Sequence, residues 1–195
     1  MKKKLFTLEN ILETLSPNFT KKFAPGISFE EIENFTCENQ ISLTDETKIL
    51  YNWKNGIIDY YAEGISQIQL FSLGIFLSLK DAYEHYYSMA IDEKLWPKEY
   101  FPIFTSGWGD YYLVKQFDPK PHDLEIYFYS PALLFIKPTS IFDSLKILIS
   151  CVEEAYRNKI LSRNTNDELV IADEYFKFMK ARNPNSEYWK GNNMK

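Results

Sequence analysis

Between Phe101 and Lys137 the chain carries four short segments of strand character separated by turn chemistry, and this succession limits the fold more than any other feature. The segments are Phe101–Thr105, Asp110–Phe117, Leu124–Tyr129 and Leu133–Lys137. Gly107-Trp108-Gly109-Asp110 and Asp118-Pro119-Lys120-Pro121 supply turns between them, since glycine, proline and aspartate each favour backbone reversal. Connections this short leave no room for a crossover, so neighbouring strands run antiparallel and form a meander. In the third segment Leu124, Ile126 and Phe128 point one way while Glu125, Tyr127 and Tyr129 point the other. The first set suits a core beneath helices, and the second is expected to form a partly exposed aromatic face.

Helices are expected on both sides of the meander. Leu5, Leu8, Ile11, Leu12 and Leu15 recur at spacings of three and four, up to a stop at Ser16-Pro17. Phe19 to Gly26 reads as a linker. Ser28 and Glu31 form a capping box ahead of Phe29, Ile32 and Phe35. A further helix follows Ile41: Thr44 caps it, Asp45 and Glu46 face the positive end of its dipole, Lys54 lies at the other end and Gly56 closes it. Ile65 to Phe71 alternates like a strand. Ser78 with Asp81 opens a helix bearing Leu79, Ala82, Tyr83 and Tyr86. Ser140 with Asp143 opens another, bearing Ile141, Leu145, Leu148, Ile149, Val152 and Tyr156. A last helix carries Leu169, Ala172, Phe176 and Met179, and the tail beyond Asn183-Pro184-Asn185 is expected to be mobile. These elements define an α+β domain whose central antiparallel meander has about four to six strands.

Composition excludes several functional classes. The net charge of −5 in 195 residues provides no basic stripe for a nucleic-acid backbone. Two cysteines, Cys37 and Cys151, cannot make a disulfide scaffold and lack metal-site spacing, which suits a reducing cytoplasm. Glu9, Asn10 and Glu13 interrupt any secretion signal after the lysines at positions 2–4, and no run approaches the roughly 18 apolar residues of a membrane span. Aromatic content is high, at 17%, and such rings serve both cores and interfaces.

Several stretches resemble the SUKH superfamily. Pro25-Gly26-Ile27-Ser28-Phe29-Glu30-Glu31-Ile32, then Ile41-Ser42-Leu43 and the helix ending Asn55-Gly56, look like its opening. Pro102-Ile103-Phe104, Gly107-Trp108-Gly109-Asp110-Tyr111 and the helix from Ser140 to Lys159 are similar to its second half. Thr44 stands where family members typically place proline, and both residues relieve the unpaired N–H groups of a helix start. The resemblance spans roughly residues 28–159, leaving 1–27 as an N-terminal helix and linker and 160–195 as a helical extension. It implies a non-catalytic binding domain. Bacterial members commonly act as immunity proteins that neutralise polymorphic toxins, many of them nucleases, and fungal relatives regulate cell-wall synthesis.

No nucleophile elbow, phosphate loop or dinucleotide fingerprint is present. His85 reads as a structural histidine within a helix, and His122-Asp123 is a single adjacent pair that leaves a small hydrolase as the weakest alternative. Gly107-Trp108-Gly109-Asp110 is either a turn capping the edge of the core or part of a partner-facing rim. The leading expectation is an immunity protein that occludes the active surface of a basic toxin, without cofactor, metal or catalytic residue. The alternative is a regulatory interaction module unrelated to toxins. The residues expected to meet the partner are Asp59, Tyr60, Tyr61, Trp108, Asp110, Tyr112, Glu125, Tyr127 and Tyr129, because rings supply desolvated anchors and carboxylates steer a basic partner.

Overall fold

A computed structural model describes residues 1–58, 64–116 and 125–191. The N-terminal part contains helices α1 (Lys2–Leu15) and α2 (Pro17–Thr20), strand β1 (Phe23–Pro25), helices α3 (Phe29–Glu38) and α4 (Asp45–Trp53), strand β2 (Lys54–Ile57) and helix α5 (Ile65–Ile68). Strand β3 (Ile75–Phe76) and helix α6 (Leu79–Tyr86) follow, and a π-helical turn at Tyr87–Asp92 extends α6. The meander comprises β4 (Tyr100–Thr105), β5 (Tyr111–Lys115), β6 (Ile126–Ser130) and β7 (Phe135–Phe142), with a 3₁₀ turn at Pro131–Leu133. Helix α7 (Leu145–Arg157), strands β8 (Leu161–Arg163) and β9 (Leu169–Ile171), and helices α8 (Tyr175–Arg182) and α9 (Glu187–Gly191) complete it.

The expected meander is present as a five-stranded antiparallel sheet in the order β3-β4-β5-β6-β7. Tyr112 pairs with Phe104 on one side and Phe128 on the other. The β4–β5 register shifts between Pro102 and Phe104, next to a proline that has no N–H to give the ladder. Phe71, Phe104, Tyr112 and Phe128 form a chain of ring contacts on one sheet face, with centroids about 5 Å apart.

Caps behave as local chemistry dictates. Glu31 N–H donates to Ser28 Oγ at 3.1 Å, and Ser28 N–H donates to Glu31 Oε2 at 2.7 Å. The Ser28 hydroxyl and then the Ser28 N–H, both donating to the carboxylate, hold the exposed Glu31 carboxyl below its ordinary pKa. Thr44 caps α4 through Thr47 N–H, and Ser78 caps α6 through Asp81 N–H.

Elsewhere tertiary contacts override local pattern. The stretch expected to be a linker forms α2 and β1, and β1 pairs antiparallel with β2. Lys54 ends α4 as its C-cap, with its N–H donating to the Leu50 carbonyl, and at once begins β2, so Gly56 belongs to a strand and not to the close of α4. Gly56 is left-handed, with φ +76°, and a Cβ on it would lie 2.1 Å from the backbone nitrogen of Ser78, so only glycine fits this approach. Ile65–Ile68 is one helical turn instead of a strand, which buries Ile68. The helix expected from Ser140 starts at Leu145 with Ser144 as its cap, because β7 continues to Phe142. Ser140 Oγ instead accepts Glu187 N–H, and Asp143 accepts the hydroxyl of Ser186.

That capture accounts for the C-terminal part. Leu169 lies in the β8–β9 hairpin, and the helix bearing Met179 begins only at Tyr175. The described part of the tail expected to be mobile folds back as α9, and residues 192–195 lie outside the described residues. Trp189 Nε1 donates to the Ile141 carbonyl at 2.7 Å, and the Tyr188 ring packs on Phe128 and Phe135. At the other terminus α1 buries Leu5, Leu8 and Leu12, and Lys4 reaches the fully buried Glu153 of α7 at 2.8 Å. Both terminal elements join one continuous hydrophobic core.

Candidate protein-interaction surface

At one end of the sheet two adjacent turns are tied together beneath their exposed tips by a single buried carboxylate. Asp110 accepts the hydroxyl of Ser106 at 2.7 Å and that of Ser130, so the β4–β5 turn and the turn after β6 share one anchor. Each hydroxyl is used again: Ser106 Oγ accepts Trp108 N–H at 3.0 Å, and Ser130 Oγ accepts Leu133 N–H at 3.3 Å. Thr105 Oγ1 donates to the Asp110 carbonyl and accepts Gly107 N–H. Gly107 and Gly109 both take positive φ, at +84° and +95°, which lets the backbone reverse tightly around Trp108.

This anchoring pushes apolar side chains into solvent. Trp108 is 79% exposed, Leu134 86% and Ile136 66%, and Leu133 is half exposed. Leu134 also holds a left-handed backbone, with φ +67°, a conformation that costs an L-residue about 1–2 kcal/mol. A strained backbone that displays a leucine to water has no packing reward, and such strain concentrates at functional sites.

Among the described residues, those expected to meet a partner do not form one patch. Asp59, Tyr60 and Tyr61 lie outside the described residues, as do His122 and Asp123. Trp108 is at the tip. Asp110 is buried and serves as the anchor beneath it. Tyr112 is buried on the opposite sheet face from Tyr127 and Tyr129, where its hydroxyl donates to the Ser72 carbonyl at 2.9 Å and burial pushes its pKa well up. The exposed face expected of Tyr127 and Tyr129 is closed over. Trp96, in the segment after the π-helical turn, lies 5.1 Å from the rings of both Tyr111 and Tyr129, with its Nε1 donating to the Tyr100 carbonyl. Tyr100 covers Tyr127 edge-on at 4.9 Å. Glu125 is half-buried and accepts the Tyr127 hydroxyl at 2.8 Å, beside the end of the strands remote from Trp108.

His85 hydrogen-bonds the Tyr111 hydroxyl at 3.0 Å, and burial lowers its pKa. Sequence reasoning missed Leu133, Leu134 and Ile136 as surface residues. Their signal is the unbroken apolar run after Pro131, which does not alternate as a half-buried strand would. Among the described residues no group of three His, Cys, Asp or Glu side chains could hold a metal ion. No described helix is long and apolar enough to cross a membrane.

The profile of the SMI1 / KNR4 family (SUKH-1) matches residues 26–151. The chain belongs to this family. The SUKH-1 match takes in the whole five-stranded sheet, both tip turns and most of α7. Helices α1 and α2, strand β1, the end of α7 and everything from β8 onward lie outside the matched residues. A search of curated proteins returned no match.

Proposed function

We propose that this SUKH-1 protein is an immunity protein that neutralises a cognate toxin by occluding its active surface, with the Trp108–Leu134 tip as the inserted element. The carrying observation is the display of Trp108 and Leu134 from turns locked beneath by Asp110. Convex and preorganised, the tip suits a concave apolar cleft on the partner, and little side-chain or loop freedom would be lost on docking. Tryptophan is among the residues most often found at interface hot spots. Inhibition would work by exclusion of substrate and requires no bond making by this chain.

The test is co-expression with each candidate toxin encoded in neighbouring reading frames. The wild-type protein is expected to restore growth and to co-purify with the toxin. The double variant Trp108→Ser/Leu134→Asn, with unchanged thermal stability, is expected to lose protection. Truncating a hot-spot tryptophan costs about 2 kcal/mol or more, or roughly 30-fold in Kd. Full protection by the double variant would remove the tip from the interface. Failure of the wild type to neutralise any neighbouring toxin would refute the immunity reading itself.

A further inference from the structure

A second concave surface lies away from the tip, lined by residues that the SUKH-1 match does not include. The C-terminal end of α7 and the flank of α1 enclose an open groove of about 440 Å³, within the size range of small-ligand and short-peptide sites. Ile11, Leu15 and Tyr156 supply its apolar lining, with Asn10 and Thr14 along the α1 side. Its charged lining residues are Arg157 and Lys159, both cations, in a protein of net charge −5. The nearest buried carboxylate, Glu153, lies behind this wall and is already paired with Lys4 and Arg157. Leu15, at the mouth, is about half exposed.

We propose that this groove is a docking site for a short peptide segment that carries both carboxylates and apolar side chains. Charge complementarity selects the occupant. A basic segment would meet Lys159 and Arg157 with no carboxylate among the lining residues, whereas an acidic one pairs with Lys159 and with the positive charge left over where Lys4 and Arg157 share the single Glu153 carboxylate, and can lay its apolar groups on Ile11 and Leu15 above the buried Tyr156. The position of the groove adds a second reason. Every residue named here falls outside residues 26–151, so the groove lies outside the matched region and apart from the tip turns.

The experiment uses the full chain and a fluorescein-labelled decapeptide alternating Glu with Leu and Phe, with a control in which every Glu is replaced by Lys. Fluorescence polarisation is expected to show saturable binding of the acidic peptide at least tenfold tighter than the control, weakening as salt rises from 50 to about 500 mM. Two-dimensional amide NMR is expected to place the perturbed resonances at residues 10–15 and 156–159. Lys159→Glu, at an exposed position, is expected to cost about tenfold in affinity. Asn10→Trp, which fills the groove from an exposed helix position, is expected to abolish binding while leaving the melting curve unchanged. No saturable binding of the acidic peptide up to about 1 mM, equal binding of the two peptides, or resonances perturbed elsewhere would overturn the proposal. So would unaltered binding by folded Asn10→Trp. Loss of toxin protection through the tip variants has no bearing on these readouts, so the two proposals fail separately.

Discussion

Leu134→Gly should make the protein slightly more stable while removing part of its recognition surface. Leu134 sits at φ +67° with 86% of its surface exposed, so its side chain gains almost nothing from burial. Relieving a left-handed L-residue returns about 1–2 kcal/mol, while the greater freedom of glycine in the unfolded chain takes back about 0.5–1 kcal/mol. The net gain is about 0.5 kcal/mol, or a rise in Tm of about 1–2 °C for a chain of this length. Leu134→Val gives the opposite sign, because a branched Cβ is still less tolerant of this region, and a loss of about 1 kcal/mol is expected. Urea melts of the three proteins, fitted with a shared m-value, resolve both differences. If Leu134→Gly lost more than about 1 kcal/mol, the side chain would have to be packing against the fold, and its reading as a displayed contact would be wrong. Higher stability together with weaker partner binding is the expected signature.

Asp110→Ala should cost about 2–4 kcal/mol, because it strands the buried hydroxyls of Ser106 and Ser130 and frees both turns; a thermal melt near wild type would contradict the anchor. Trp189→Ala should cost about 3–5 kcal/mol by emptying a buried site and leaving the Ile141 carbonyl without its indole donor, which chemical denaturation measures. Cys37 is exposed and Cys151 buried, so a thiol reagent at pH 8 should label one cysteine per native chain and two after unfolding. Burial pushes the Cys151 thiol up to about 11 from 9.0. Over pH 9 to 11 the unfolded chain therefore releases this proton while the native one keeps it, and stability should fall with rising pH. Cys151→Ala should flatten that slope, as read by urea melts across the window.

Local chemistry was legible wherever a hydrogen bond closes over a few residues. The caps at Ser28, Thr44 and Ser78 needed only a hydroxyl and the N–H three positions on, and all three form. The meander was legible for a similar reason at Gly107-Trp108-Gly109, whose glycines mark the turn, while the turn expected at Asp118-Pro119-Lys120-Pro121 lies outside the described residues. What could not be read was competition between equivalent local signals. Ser140 with Asp143 and Ser144 alone are both plausible caps for α7. The choice is made by Ser186 and Glu187, more than 40 residues away, which bind the first pair. The alternation of Tyr127 and Tyr129 correctly placed both on one face, yet no strand pattern reveals that Trp96 would cover it. At the tip, the turn was evident from its glycines, but the exposure of Trp108 depends on a carboxylate being spent below it on Ser106 and Ser130.

That carboxylate lies a full layer beneath the side chains a partner would touch. Trp108, Leu133, Leu134 and Ile136 donate no side-chain hydrogen bond to the framework and fill little of its interior, whereas Asp110, Ser106 and Ser130 meet no outside molecule. Exchanges at Trp108, Leu133 and Ile136 should thus leave folding nearly untouched, whereas at Leu134 the left-handed backbone sets the cost. Under the proposed role, the range of partners is redrawn one protruding residue at a time, with the hidden clasp keeping each new version in shape.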